Sequence, residues 1–68
     1  MLMKLRVETE QEEDGRWIAE VIDIAGAMAY GTSREDALVK AAALAFRILA
    51  DRLELGELKP EELPFFAV

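Results

Sequence analysis

The chain has 68 residues, with 8 Lys and Arg against 14 Asp and Glu and a net charge of -6 at pH 7. That length supports one domain at most, since domains rarely fall far below about 50 residues, and so acidic a chain lacks the basic footprint that sequence-independent nucleic-acid binding requires. There is no Cys and no His, which excludes disulfide scaffolds, thiolate zinc sites, cysteine nucleophiles and histidine bases.

Charges interrupt every apolar stretch, so none approaches the roughly 20 residues of a membrane span. The start, Met1-Leu2-Met3-Lys4-Leu5-Arg6, lacks the apolar core of a secretion signal. The expected location is the cytoplasm. Asn is absent and Gln occurs once, at Gln11, a composition that fits the loss of thermolabile amides in heat-adapted proteins. The apolar fraction of 53% excludes intrinsic disorder, but Ala supplies much of it and the core volume is correspondingly small. A small scaffold without disulfides or the usual metal ligands is expected to draw the missing stability from another subunit.

Residues 2–9 alternate, with Met3, Leu5, Val7 and Thr9 on one face and Lys4, Arg6 and Glu8 on the other, the pattern of a half-buried strand. Gln11-Glu12-Glu13-Asp14-Gly15 ends in the hairpin dipeptide Asp-Gly. Residues 16–22 then read as a second strand, with Trp17, Ala19 and Val21 on one face and Ile18, Glu20 and Ile22 on the other. Matching faces decides the loop length. A two-residue turn sets Val7 opposite Ile22 and puts Trp17, Ala19 and Val21 on the charged face. A three-residue loop, Glu13-Asp14-Gly15, pairs Val7 with Val21 and Thr9 with Ala19, unites the apolar faces and uses Gly15 as the left-handed residue. The longer loop is therefore expected.

Asp23-Ile24-Ala25-Gly26 reads as a short connection and Ala27-Met28-Ala29-Tyr30 as a third strand ended by Gly31, so residues 1–31 form a three-stranded sheet. Ser33 with Asp36 three residues on is a helix start of capping-box type, Asp standing in for the usual Glu. The helix spans 33–55, with Leu38, Ala41, Ala42, Ala45, Ile48, Leu49 and Leu53 as its apolar stripe, and Gly56 stops it. In the tail, 57–68, Pro60 opens one helical turn and Pro64 closes it. Phe65-Phe66-Ala67-Val68 has strand composition and can add an edge strand parallel to the first, the helix serving as a right-handed crossover. The expected fold is one α+β domain over 1–68, β-β-β-α-(β), an antiparallel sheet with one long helix packed on one face.

The span from Asp14 to Leu38 resembles the HicB-like antitoxin family. Asp14-Gly15-Arg16-Trp17-Ile18-Ala19-Glu20-Val21, then Asp23-Ile24-Ala25-Gly26, then Tyr30-Gly31-Thr32-Ser33-Arg34-Glu35-Asp36-Ala37-Leu38 follow that family's order and spacing of motifs. Ile22 and Ala25 stand where the family has two prolines, and Ala27 where a Cys is common. The resemblance implies a partial ribonuclease-H-like fold, commonly oligomeric, and an antitoxin that masks HicA, a small RNA-cleaving toxin. It also implies that a second, DNA-binding domain would follow in longer members; here the chain ends soon after the helix, which puts self-repression through DNA in doubt and leaves the toxin-binding half.

Several residue groups carry both a functional and a plain reading. Glu8 and Glu20 face each other across the first hairpin and could act as an acid/base or metal-binding pair. With no third ligand available, a solvated sheet face relieved by Lys4 and Arg6 is preferred. Glu10, Glu12, Glu13 and Asp14 cluster at the first turn and either steer a basic partner or form an ordinary solvated loop. Trp17 lies in register with Val21 and Val7, so core packing is preferred over base stacking. Ala27, Met28, Ala29 and Tyr30 make an apolar, uncharged edge suited to strand addition to another chain. Thr32 and Ser33 have no activating base and read as helix-capping residues. The expectation is a noncatalytic protein-binding module with no cofactor and no metal, partnered by itself as a dimer or larger and by a small basic toxin, without nucleic-acid or membrane contact. The alternative is an orphan self-assembling protein, and a metal-dependent ribonuclease comes third.

Overall fold

The computed structural model describes residues 5–63. In chain order it contains β1 (Val7–Gln11), β2 (Trp17–Val21), β3 (Met28–Gly31), α1 (Arg34–Glu54) and a 3-10 turn at Pro60–Glu62. The strands form one antiparallel sheet in the order β1-β2-β3, with α1 packed on one face, so the expected α+β arrangement holds. The edge strand expected at Phe65-Phe66-Ala67-Val68 and the expected strand residues 2–4 lie outside the described residues. No helix among the described residues is long and apolar enough to cross a membrane.

The register of β1 on β2 is the one that apolar matching requires, with Val7 opposite Val21 and Thr9 opposite Ala19. The hairpin closes where the Glu12 N–H donates to the Arg16 carbonyl at 2.7 Å, leaving residues 13–15 as the loop, and the Gly15 N–H returns to the Glu12 carbonyl at 3.0 Å. Gly15 takes a φ of +92°, a region where a Cβ is disfavoured. Element boundaries differ from expectation by a few residues. β1 starts at Val7, although the Arg6 carbonyl still accepts the Ile22 N–H at 2.9 Å. It continues past Thr9 because Glu10 and Gln11 keep partners in Ile18 and Trp17. β3 begins one residue late because the Ala27 N–H turns back to the Ile24 carbonyl at 3.1 Å. Gly31, expected to end the strand, still pairs with Trp17.

Ser33 caps α1, its hydroxyl accepting the Asp36 N–H at 3.0 Å. The Asp36 carboxylate accepts the Thr32 N–H at 2.9 Å, so the box closes one residue upstream of the cap rather than on the cap's own N–H. At the other end Gly56, with φ +76°, donates to the Leu53 carbonyl while the Glu57 N–H reaches the Arg52 carbonyl at 2.8 Å, a Schellman stop.

The core is built from small side chains: Ala19, Val21, Ile24, Ala27, Ala37, Ala41 and Ala45 are buried together, and no large side chain is fully buried among the described residues. Ala37, absent from the expected stripe, is buried, whereas Ala42 is exposed and Leu38, Ile48 and Leu49 are half-buried around the cluster. Alanines on both surfaces let the helix approach the sheet closely. A helix about 10 Å wide covers roughly two strands spaced about 4.8 Å apart. Here it lies over β2 and β3, and Val7 on β1 stays 44% exposed. Trp17 is half-buried and packs against the core cluster.

Candidate interaction surface

Strand alternation sends Glu8 and Glu10 of β1, Ile18 and Glu20 of β2, and Met28 and Tyr30 of β3 to the sheet face opposite α1. The pairing brings Glu8 opposite Glu20, Glu10 opposite Ile18, and Ile18 opposite Tyr30. Glu8, Glu10 and Glu20 thus surround a half-buried Ile18 in a shallow depression of about 330 Å³. Of the cations expected to relieve Glu8 and Glu20, Arg6 keeps a lesser electrostatic attraction to Glu8. Arg6 is committed mainly to Asp23, with its backbone N–H 2.7 Å and its guanidinium Nη2 2.9 Å from that carboxylate, and Lys4 lies outside the described residues. The described ion pairs are Arg6–Asp23, Arg16–Asp14 and Lys40–Asp36; none engages Glu8, Glu10 or Glu20.

At the hairpin end, Glu10, Glu12, Glu13 and Asp14 line one surface with Arg16, but they are not equivalent. Asp14 accepts the Arg16 backbone N–H at 3.0 Å and its Nε at 2.8 Å. The backbone hydrogen bond foremost, with the guanidinium adding to it, holds its carboxyl below the usual carboxylate value. Its charge is therefore largely answered within the turn. Glu12 is half-buried and accepts the Tyr30 hydroxyl at 3.4 Å. The Arg16 guanidinium sits 4.7 Å from the centre of the Tyr30 ring, a cation–π distance. Glu10 and Glu13 remain exposed.

Sequence reasoning identified the acidic turn and the Glu8–Glu20 pair. It missed the apolar floor supplied by Ile18 and the link from Tyr30 to Arg16 and Glu12. Carrying the register through the second connection would have revealed both, since pairing Ala19 with Ala29 sets Tyr30 beside Ile18. Among the described residues Met28, Ala29 and Tyr30 lie on an edge strand of the sheet, with Met28 49% and Tyr30 44% exposed, while Ala27 just before the strand is buried under the helix. Thr32 and Ser33 are both used in capping.

Chemically the outer face suits a cation carried on an apolar stem. A Lys or Arg side chain from another molecule can lay its methylenes on Ile18 and its charged head among Glu8, Glu10 and Glu20. Among the described residues no three carboxylates are disposed to hold a metal ion. No family model, curated protein or solved structure matches this chain.

Proposed function

We propose that this chain is a noncatalytic protein-binding module of the HicB-like kind, with a partial ribonuclease-H-like fold, that works in the cytoplasm by masking a small basic RNA-cleaving toxin. The observation that carries this reading is the outer sheet face, where Glu8, Glu10 and Glu20 ring Ile18 and make no ion pair among the described residues. The Asp14–Leu38 motif resemblance supports it. A net charge of -6 favours a basic partner and disfavours RNA itself. Masking needs surface complementarity and no reacting group, so the partner's basic RNA-binding surface is the natural target.

The test is to express a small basic ribonuclease toxin encoded beside this chain, alone and together with it, and to follow growth. Rescue of growth and a complex on a sizing column are expected. Charge reversal at Glu8 and Glu20, to Lys, should abolish rescue while the chain stays folded by circular dichroism. Wild-type chain that neither restores growth nor co-elutes with the toxin would overturn the proposal.

A further inference from the structure

We infer that two copies of this chain join through β3, antiparallel about a two-fold axis at Ala29, so that their sheets become one. This goes beyond toxin masking and does not depend on it.

Backbone geometry leaves β3 ready for such a union. The Val21 N–H donates to the Ala27 carbonyl at 2.8 Å, which makes the 21/27, 19/29 and 17/31 positions the hydrogen-bonded pairs and turns the backbone groups of Met28 and Tyr30 away from β2. The Met28 N–H is held locally by the Gly26 carbonyl at 3.0 Å. The outward groups are therefore the Tyr30 N–H and the Met28 and Tyr30 carbonyls. With the axis at Ala29, each Tyr30 N–H meets the Met28 carbonyl of the other copy. Moving the axis to Tyr30 would oppose Met28 to Thr32, whose N–H already donates to Asp36 at 2.9 Å.

Charge selects both the edge and the occupant. Two chains of net charge -6 repel, which favours meeting at a stretch that carries no charge of its own, and residues 24–33 contain no Asp, Glu, Lys or Arg. The other edge fails this condition. On β1 the outward backbone belongs to Val7, Thr9 and Gln11, because the Ile22–Arg6 and Arg16–Glu12 bonds fix the alternation. Self-pairing there about Thr9 would set Glu8 against Glu10 of the other copy twice over, and directly opposed like charges destabilise a sheet. At β3 the same operation sets Met28 against Tyr30, a thioether beside an aromatic ring, on side chains that are now about half exposed. Nor does β3 carry the Lys, Pro or bulge that blunts a solitary edge.

Sedimentation of the full chain at micromolar concentration should give a species of twice 7.6 kDa. Met28→Lys should weaken that association roughly tenfold or more, whereas Glu10→Lys on β1 should not weaken it; circular dichroism checks that both variants fold. In a wild-type sample mixed from labelled and unlabelled chains, an inter-copy contact between the two Ala29 α-hydrogens is expected. A monomer throughout, a chain that pairs β3 only with a strand of another protein, a dimer broken by Glu10→Lys but not by Met28→Lys, or a dimer without the Ala29 contact would each overturn the inference. Salt separates it from the masking reading: self-pairing of two -6 chains tightens as salt rises, and capture of a basic partner loosens.

Discussion

A methyl group added at Gly31 would collide with the backbone nitrogen of Ala37 and come within 2.8 Å of both the Ala37 Cα and the Asp36 Oδ2. The end of β3 is thus pressed onto the first turn of α1, and only a residue without Cβ fits. Gly31→Ala should lower stability by about 1–3 kcal/mol through overpacking, read as a fall in melting temperature. Five residues on, Asp36 makes the same junction sensitive to acid. The Thr32 N–H foremost, then the Lys40 ammonium, hold its carboxyl below the usual 3.8. Asp23 is lowered in the same direction by Arg6. A carboxyl depressed in the folded state adds stability that is complete above its unfolded value and is lost as pH falls through the lower folded value. Asp36→Asn keeps an acceptor for Thr32 but cannot titrate. Its melting temperature should consequently depend less steeply on pH in the acid range than that of the wild type; parallel curves would remove Asp36 from the acid response.

Among the elements, the first hairpin was the most legible in the sequence, because a three-residue loop unites its two apolar faces and a two-residue turn does not. Gly15 completes that loop in open space, with nothing within 4 Å of a Cβ placed there. Gly15→Ala should therefore cost about 1 kcal/mol from the left-handed backbone alone and leave the Val7–Val21 register intact, which cross-strand contacts in solution would verify. The helix was legible in extent, since Ser33 and Gly56 mark its ends chemically. Its buried face was not. In sequence Leu38, Ala42 and Leu53 look as suited to the core as Ala37, yet the close approach of α1 to the sheet selects Ala37, Ala41 and Ala45, and that spacing depends on alanines contributed by both surfaces. The length of β1 was hidden for a different reason: Glu10 and Gln11 extend the strand through backbone pairing, which leaves no mark in apolar alternation. The candidate surface was half legible. Its acidic residues stand out in composition, but the grouping around Ile18 exists only once the strands are in register.

At the scale of the whole molecule, charge and edge divide the labour. In the inferred dimer the neutral strands meet at the centre and the carboxylates of Glu8 and Glu10 lie toward the two outer rims, so self-pairing leaves the acidic face available. Raising salt on the chain alone should increase its thermal stability, because screening relieves the self-repulsion of a net charge of -6; a melting temperature that falls with salt would mean that the described ion pairs outweigh that repulsion. The position of α1 over β2 and β3 has a kinetic consequence as well. Amides of Ala19 and Ala29 bridge β2 and β3 beneath the helix, and exposing them requires the helix to lift. Amides of Glu8 and Glu10 bridge β1 to β2 where α1 packs less than on β2 and β3 and reaches the strand through the Arg34 Nε, which donates to the Thr9 hydroxyl at 3.2 Å. Hydrogen exchange should accordingly show β1 opening as a separate unit at lower free energy than the rest, and uniform protection across the three strands would mean that the sheet opens as a whole. A partner landing on Glu8 and Glu10 would grip the strand that departs first, and its arrival would be recorded there as slowed exchange.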